Sequence, residues 1–322
     1  MPIVKREDLL EDAAWALDVP VPERSHSALR QACCLCGEDE GEPVAVGEDF
    51  DDRERRGDSF LVLHCRACGV GYLGRPSSGP VGAANDGAHT EGAHTDAGTV
   101  LRHRRVRRLL GRELQRGSVP ARVLVIGDAA AASSFAMLLN DRKVAVDTLE
   151  HIDPSTTGGR IEPRGSRYDV AVVIDEAGRL EDPVEALATL RRCGCTRLFL
   201  VMDNFDARSC RVFRGRHWVG YDFPHRLFWF EPRAVRALVE RAGFELESLR
   251  TVSAPDRWTR STHRFLRDWS APPWLANRFA GRAFGATVLA SALEALATLS
   301  GAGSVLVATC RSRADEPTPV ST

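Results

Sequence analysis

From residue 119 onward the hydrophobic pattern consists of short, nearly unbroken apolar runs separated by stretches of mixed polarity. ARVLVIG (121–127), KVAVDTLE (143–150), YDVAVVID (168–175) and TRLFLVMDN (196–204) are such runs. A strand that is apolar on successive residues must be covered on both faces, which is the habit of a buried parallel sheet. Between the runs, SSFAMLLND (133–141) and PVEALATLRR (183–192) place apolar residues at helical spacing, the second opened by an Asp-Pro start signal. Strand alternating with helix predicts a doubly wound, Rossmann-like α/β sheet. ELESLRTVS (245–253) and SVLVATCRS (304–312) predict two further strands.

Two helical stretches flank this core. RHRRVRRLLGRELQR (102–116) carries Val106, Leu109, Leu110 and Leu114 on one face. It reads as a helix packed on the sheet with its arginines outward rather than as a nucleic-acid site. AFGATVLASALEALATL (283–299) is the most apolar stretch, but Glu294 interrupts it and it falls short of the ~20 residues that span a bilayer. It reads as a buried helix, and it lacks the cationic face of an interfacial one.

The first hundred residues have a different texture. Cys33 and Cys36 form one C-x-x-C, Cys65 and Cys68 a second, and each is followed by a glycine, Gly37 or Gly69. Two such knuckles supply four thiolates to one tetrahedral ion, so Cys33, Cys36, Cys65 and Cys68 read as ligands of a structural zinc ribbon, closed and noncatalytic. Cys34 sits beside the first knuckle as a competing ligand, though C-x-x-C is the better bite, and His64 could substitute only with distortion. EPVAVGEDF and SFLVLHC between the knuckles predict short strands joined by the charged turn DDRERRGD (51–58). The domain plan is an extension over 1–28, a ribbon over 29–75, a flexible Gly/Ala/Ser/Thr linker over 76–99, an α/β domain over 100–312 and a disordered tail over 313–322. The linker repeats GAHT, but His89 and His94 sit in a tract that fixes no coordination geometry.

Composition narrows the partners. Lys plus Arg (43) nearly balances Asp plus Glu (44) in 322 residues, so no overall field draws the chain to nucleic acid or an anionic membrane. The charged N-terminal stretch lacks the apolar core of a signal peptide, which reads as cytoplasmic. Nine cysteines in a reducing compartment read as thiols or metal ligands.

The order and spacing of these segments resemble class I S-adenosylmethionine-dependent methyltransferases. Within them the chain resembles the branch that carries an N-terminal zinc-binding ribbon, including sugar C-methyltransferases and other tailoring enzymes of bacterial secondary metabolism. VLVIGDAAAASSF (123–135) stands where the family's glycine turn lies, FAMLLNDRKVAVDTLE (135–150) follows the family's helix and second strand, and YDVAVVIDEAGRLEDP (168–183) matches the next strand and its Asp-Pro. GRHWVGYDFPHRLFWFEPRAVRALVERAGF (215–244) is similar to the segment that ends in Ala-Gly-Phe, with Pro-His-Arg-Leu where Pro-Arg-His-Leu is common.

The resemblance implies a cofactor site of Gly127, Asp128, Ala129, Ala131, Phe135, Glu150 and Asp175, with Glu150 on the ribose. Asp147 would take that role only in a turn of usual length. It implies His225 as general base, with Tyr221 and Asp222 as alternatives, and a small-molecule acceptor, carrier- or sugar-linked. Departures are specific. The turn keeps one glycine and then four alanines, Phe135 lies eight residues after Gly127, and Gly178 and Arg179 replace the family's Glu-His pair. Two classes therefore stay open: a methyltransferase of the EC 2.1.1 type, or a methyltransferase-like scaffold that has lost the cofactor and serves as a partner subunit or performs other chemistry.

Overall fold

The computed structural model describes residues 32–48, 59–74, 97–115, 122–127, 144–149, 168–223, 225–280 and 284–313. The N-terminal extension, the turn at 51–58, the linker up to residue 96, the alanine turn and the tail from 314 lie outside the described residues.

The larger sheet has six strands. β4 (Arg122–Ile126), β5 (Ala145–Leu149), β6 (Val170–Ile174) and β7 (Arg197–Asp203) run parallel in the order β5-β4-β6-β7. β10 (Val305–Ser312) enters antiparallel between β7 and β9 (Phe244–Val252), so that β9 again runs with β7. Chain order therefore moves outward from β4 to β5, then returns to β6 on the other side. That reversal places a topological switch point between β4 and β6.

Successive residues of these strands go to opposite faces. Leu124, Ile126, Ala171, Val173, Leu198 and Leu200 belong to one core with helix α2 (Pro183–Arg192) and helix α4 (Pro232–Arg241). Val123, Val125, Val170, Val172, Phe199 and Val201 belong to another with Val106 and Leu110 of helix α1 (Ala97–Gln115). Each fully buried aliphatic side chain contributes about 1.5–3 kcal/mol. The sequence expectation for these strands, for α2 and for the basic helix holds in the structure, and Arg104, Arg107, Arg108 and Arg112 of α1 face outward.

The ribbon is not a detached satellite. β1 (Glu42–Glu48), β2 (Ser59–His64) and β3 (Val70–Gly74) form an antiparallel sheet whose fourth strand is β8 (Phe228–Phe230), contributed by the α/β part of the chain. Val70 pairs with Phe230 and Tyr72 with Phe228. Asn204, just after β7, bridges to Phe230 and ties the two sheets. Glu231 completes the junction, accepting from His64 Nε2 at 2.9 Å while its own N–H donates to the Gly69 carbonyl at 3.1 Å.

After β9 come α5 (Pro255–Asp268), α6 (Pro273–Asn277) and α7 (Phe284–Leu299). Here the sequence expectation is corrected. α7 is where the pattern places it, but it is not buried: Val288, Leu289, Leu293, Leu296 and Leu299 point outward, while Thr287, Ala290, Glu294 and Ala297 face the protein. Glu294 decides the orientation because its carboxylate has fixed partners inside. Oε1 accepts from the N–H of Ala254 (3.2 Å) and of Ser304 (2.6 Å), and Oε2 accepts from Trp258 Nε1 (2.6 Å). Turning the helix to bury the leucines would strand a carboxylate and three buried donors, each unmet donor costing about 1–3 kcal/mol. Among the described residues no helix is long and apolar enough to cross a membrane.

Candidate functional site

The two knuckles are built alike. The Cys33 carbonyl accepts from the N–H of Gly37 at 2.9 Å and the Cys33 N–H donates to Glu38; the Cys65 carbonyl accepts from Gly69 at 2.8 Å and the Cys65 N–H donates to Val70. Gly37 and Gly69 both adopt positive φ, 74° and 76°, which closes each turn so that two sulfurs face the same way. The four Sγ atoms of Cys33, Cys36, Cys65 and Cys68 all lie within 4.8 Å of one another, and Cys36 and Cys65 are 3.5 Å apart. Tetrahedral Zn–S bonds of ~2.3 Å require sulfurs about 3.8 Å apart, so the donor set fits such an ion. Cys34 is outside this group, and His64 is committed to Glu231.

The second region lies at the carboxyl ends of β4, β6 and β7, beside the switch point. Gly127 follows β4, and a Cβ there would sit 3.0 Å from the Ile174 carbonyl oxygen, so a side chain would fit only if the two strand ends gave way by a few tenths of an ångström. Asp175 follows β6 in the left-handed region at φ 58°, an uncommon state for a residue with a side chain. Gly127 and Asp175 thus stand at the switch point, the end of the sheet at which open α/β sheets take their ligands. The part of a cofactor cradle that is described fits: a close backbone approach and an acid. Asp128, Ala129, Ala131, Phe135 and Glu150 lie outside the described residues. Asp147 is engaged on β5 by Arg122 at 2.9 Å.

Two loops close over the ends of β6 and β7. Gly178 is required by the approach: its carbonyl accepts from Leu227 (2.8 Å) and Phe228 (2.9 Å), and a Cβ there would stand 2.5 Å from the Phe228 carbonyl oxygen. Arg179 beside it reaches Asp222 Oδ2 at 2.8 Å and Glu176 at 3.5 Å. Burial opposes ionisation of Asp222, but Arg179, then Arg226 and His225, outweigh it and hold the carboxyl down at about 2. Asp222 itself turns at φ 51°, and its carbonyl accepts from the N–H groups of His225 and Arg226. His225 is half-buried on this turn.

The turn is anchored from two directions. Leu227, two residues on, donates to Gly178 and accepts from the ribbon residue Leu73 at 2.9 Å. Below it, Asp203 at the end of β7 is buried between two guanidiniums. Arg257 binds both of its oxygens, at 2.8 and 3.0 Å, and Arg226 binds Oδ2 at 3.1 Å. The sequence does not mark Asp203 and Arg257 as site residues, and it presents Arg226 only as part of the Pro-His-Arg-Leu segment. The one further signal is an acid ending an apolar strand in TRLFLVMDN.

Tyr221 is corrected as a site residue. It is buried in an aromatic core with Trp218, Phe223 and Trp229, at centroid distances of 5.1, 5.2 and 5.9 Å, and burial raises its phenol well above the usual range. A phenol so enclosed meets no acceptor. Asp222, held ionised by Arg179, is a weak base, so its place is structural and electrostatic. Of the three residues proposed for proton removal, Tyr221 is buried, Asp222 and His225 are half-buried, and Asp222 is committed to Arg179.

No protein-family model matches the chain, and no curated protein is similar enough to be matched. Solved structures similar to it include an S-adenosylmethionine-dependent methyltransferase from Archaeoglobus fulgidus, 12% identical over 67% of this chain and 100% of that one, at a TM-score of 0.36. Coclaurine N-methyltransferase bound to N-methylheliamine and S-adenosylhomocysteine is 10% identical over 65% of this chain and 72% of its own, at 0.35. The [4+2]-cyclase SpnF is 14% identical over 64% of this chain and 80% of its own, at 0.33. Overlap this loose says nothing of substrate or activity.

Proposed function

We propose that the chain is an S-adenosylmethionine-dependent methyltransferase of the EC 2.1.1 type, acting on a small molecule in the cytoplasm, in bacterial secondary metabolism, with a structural zinc ribbon. The observation that carries this reading is the topological switch point between β4 and β6, with Gly127 and Asp175 at the two strand ends, in the strand order β5-β4-β6-β7-β10-β9. When bound, the cofactor supplies a methyl group activated on a sulfonium. Gly127 keeps the strand ends close, and Asp175 with Glu150 holds polar hydrogens of the ligand. His225, on a turn fixed by Gly178 and Leu73, takes the proton from the acceptor, and the remaining contribution is orientation and exclusion of water.

Zinc would be held by Cys33, Cys36, Cys65 and Cys68 and supplies folding free energy rather than chemistry. The acceptor is carrier- or sugar-linked in this reading. Calorimetry with S-adenosylhomocysteine tests it: binding in the micromolar range, roughly −8 kcal/mol, is expected. Absence of binding at millimolar ligand moves the chain to the second reading, a scaffold that has lost the cofactor and works as a partner subunit. The four alanines after Asp128 favour that second reading.

A further inference from the structure

α7 is amphipathic in the wrong direction for a helix covering a core. Its protein-facing side is polar and small, with Glu294 fully buried, whereas Leu296 is 66% and Leu299 85% exposed. Gly285, Val288, Leu289, Ala292, Leu293, Ala295, Leu296 and Leu299 make an outward face without a single charge. Soluble surfaces rarely leave so long an apolar stripe uncovered.

The helices packed with α7 also expose large apolar side chains. α5 packs on both α6 and α7, and the bonds from Ala254 and Trp258 to Glu294 pin the start of α5 to the later half of α7. Phe265 and Trp269 at the end of α5 and Trp274 of α6 are exposed on the same group of helices. Trp269 is 76% and Trp274 65% exposed. Cations accompany these rings. Residues 258–304 contain Arg260, Arg264, Arg267, Arg278 and Arg282 against only Asp268 and Glu294. Both acids are engaged: Glu294 is buried, and Asp268 accepts from Arg216 and from His217, each at 3.0 Å. Arg267 and Arg278 are exposed, the latter over the Trp274 ring at 6.0 Å.

We propose that this helical cap seats peripherally on an anionic lipid bilayer, with the leucine stripe of α7 and the two tryptophans in the headgroup–acyl boundary, the cations that α7 itself lacks being supplied to the lipid phosphates by Arg267 of α5 and by Arg278 just after α6. An uncharged helical face, interfacial tryptophans and flanking arginines are the three parts of such a contact. A second copy of the chain would cover the leucines but offers the arginines no acid from this stretch, since both of its acids are occupied; anionic headgroups offer many. The proposal does not depend on methyl transfer.

Vesicle flotation of the full chain tests it, using phosphatidylcholine vesicles with and without phosphatidylglycerol. Flotation is expected with the phosphatidylglycerol vesicles, weakening with salt, together with a blue shift of tryptophan emission. Leu289→Gln with Leu296→Gln should lower partitioning by roughly tenfold, and Arg267→Glu with Arg278→Glu should abolish the preference for anionic lipid. All four positions are exposed, and an unchanged thermal melt establishes that the variants fold. Failure to float with phosphatidylglycerol vesicles overturns the proposal, as does flotation indifferent to these substitutions. A chain that elutes as a dimer, is split by Leu296→Gln and ignores vesicles assigns the face to self-association instead.

Discussion

Arg179 donates from its guanidinium to Asp222 Oδ2 at 2.8 Å, joining the loop after β6 to the turn that carries His225. Where the resemblance leads one to expect Glu-His after β6, this chain has Gly-Arg. The glycine lets the second loop approach and the arginine fastens it.

The pair predicts an acid-sensitive step in stability. The Asp222 carboxyl is held at about 2 in the folded chain, below its ordinary value. Its contribution is therefore complete above about pH 4 and is lost as pH falls towards 2. The size is about 2 kcal/mol. Denaturant unfolding as a function of pH should show a steeper decline for the wild-type chain than for Asp222→Asn, the two curves converging near pH 2.

Gly178→Ala should cost about 1–3 kcal/mol, because the added methyl meets the Phe228 carbonyl at 2.5 Å and the loop must withdraw. Its neighbour provides the control. Arg179→Lys keeps the charge but not the fork, and should recover part of the stability lost in Arg179→Ala.

Zinc should copurify at about one equivalent, measured by elemental analysis of freshly prepared protein. Because β3 is completed by β8 and Cys33, Cys65 and Tyr72 share a core with Leu200 and Phe244, chelation should lower the melting temperature of the entire chain. A ribbon that melts alone, leaving the larger sheet unchanged, would contradict the shared core.

At the switch point, Glu150→Ala should weaken S-adenosylhomocysteine by ~1.5–3 kcal/mol through loss of ribose hydrogen bonds to a charged acceptor. Restoring glycine at Ala129 and Ala131 should tighten binding if only the methyls crowd the ligand. Titration of the two variants separates crowding from a turn closed by its extra residues.

Much of the fold is legible in the sequence because it is written in runs. Unbroken apolar segments such as VLVI and VAVVI admit few environments other than a covered parallel sheet, and the C-x-x-C pairs name their own chemistry. What is not legible depends on contacts distant in sequence. FWF (228–230) reads as packing before a helix, yet it is the closing strand of a sheet begun at residue 42. Glu294 looks like an interruption of a buried helix, whereas it is the one residue of α7 with three fixed donors, and it turns the leucines outward. Tyr221 and Asp222 are adjacent in a promising segment, but a turn at positive φ sends one into the aromatic core and leaves the other with Arg179.

The pairing of β3 with β8 also sets an order of assembly. As the chain leaves the ribosome, the three ribbon strands and all four cysteines emerge long before Phe228, Trp229 and Phe230. Until then the outer edge of β3 has no neighbour, and an open strand edge invites the wrong one. Metal captured early would hold the knuckles together through that interval without finishing the sheet. Completion waits for a segment that arrives only after β4 to β7 have been made, so strands synthesised early are among the last to be finished.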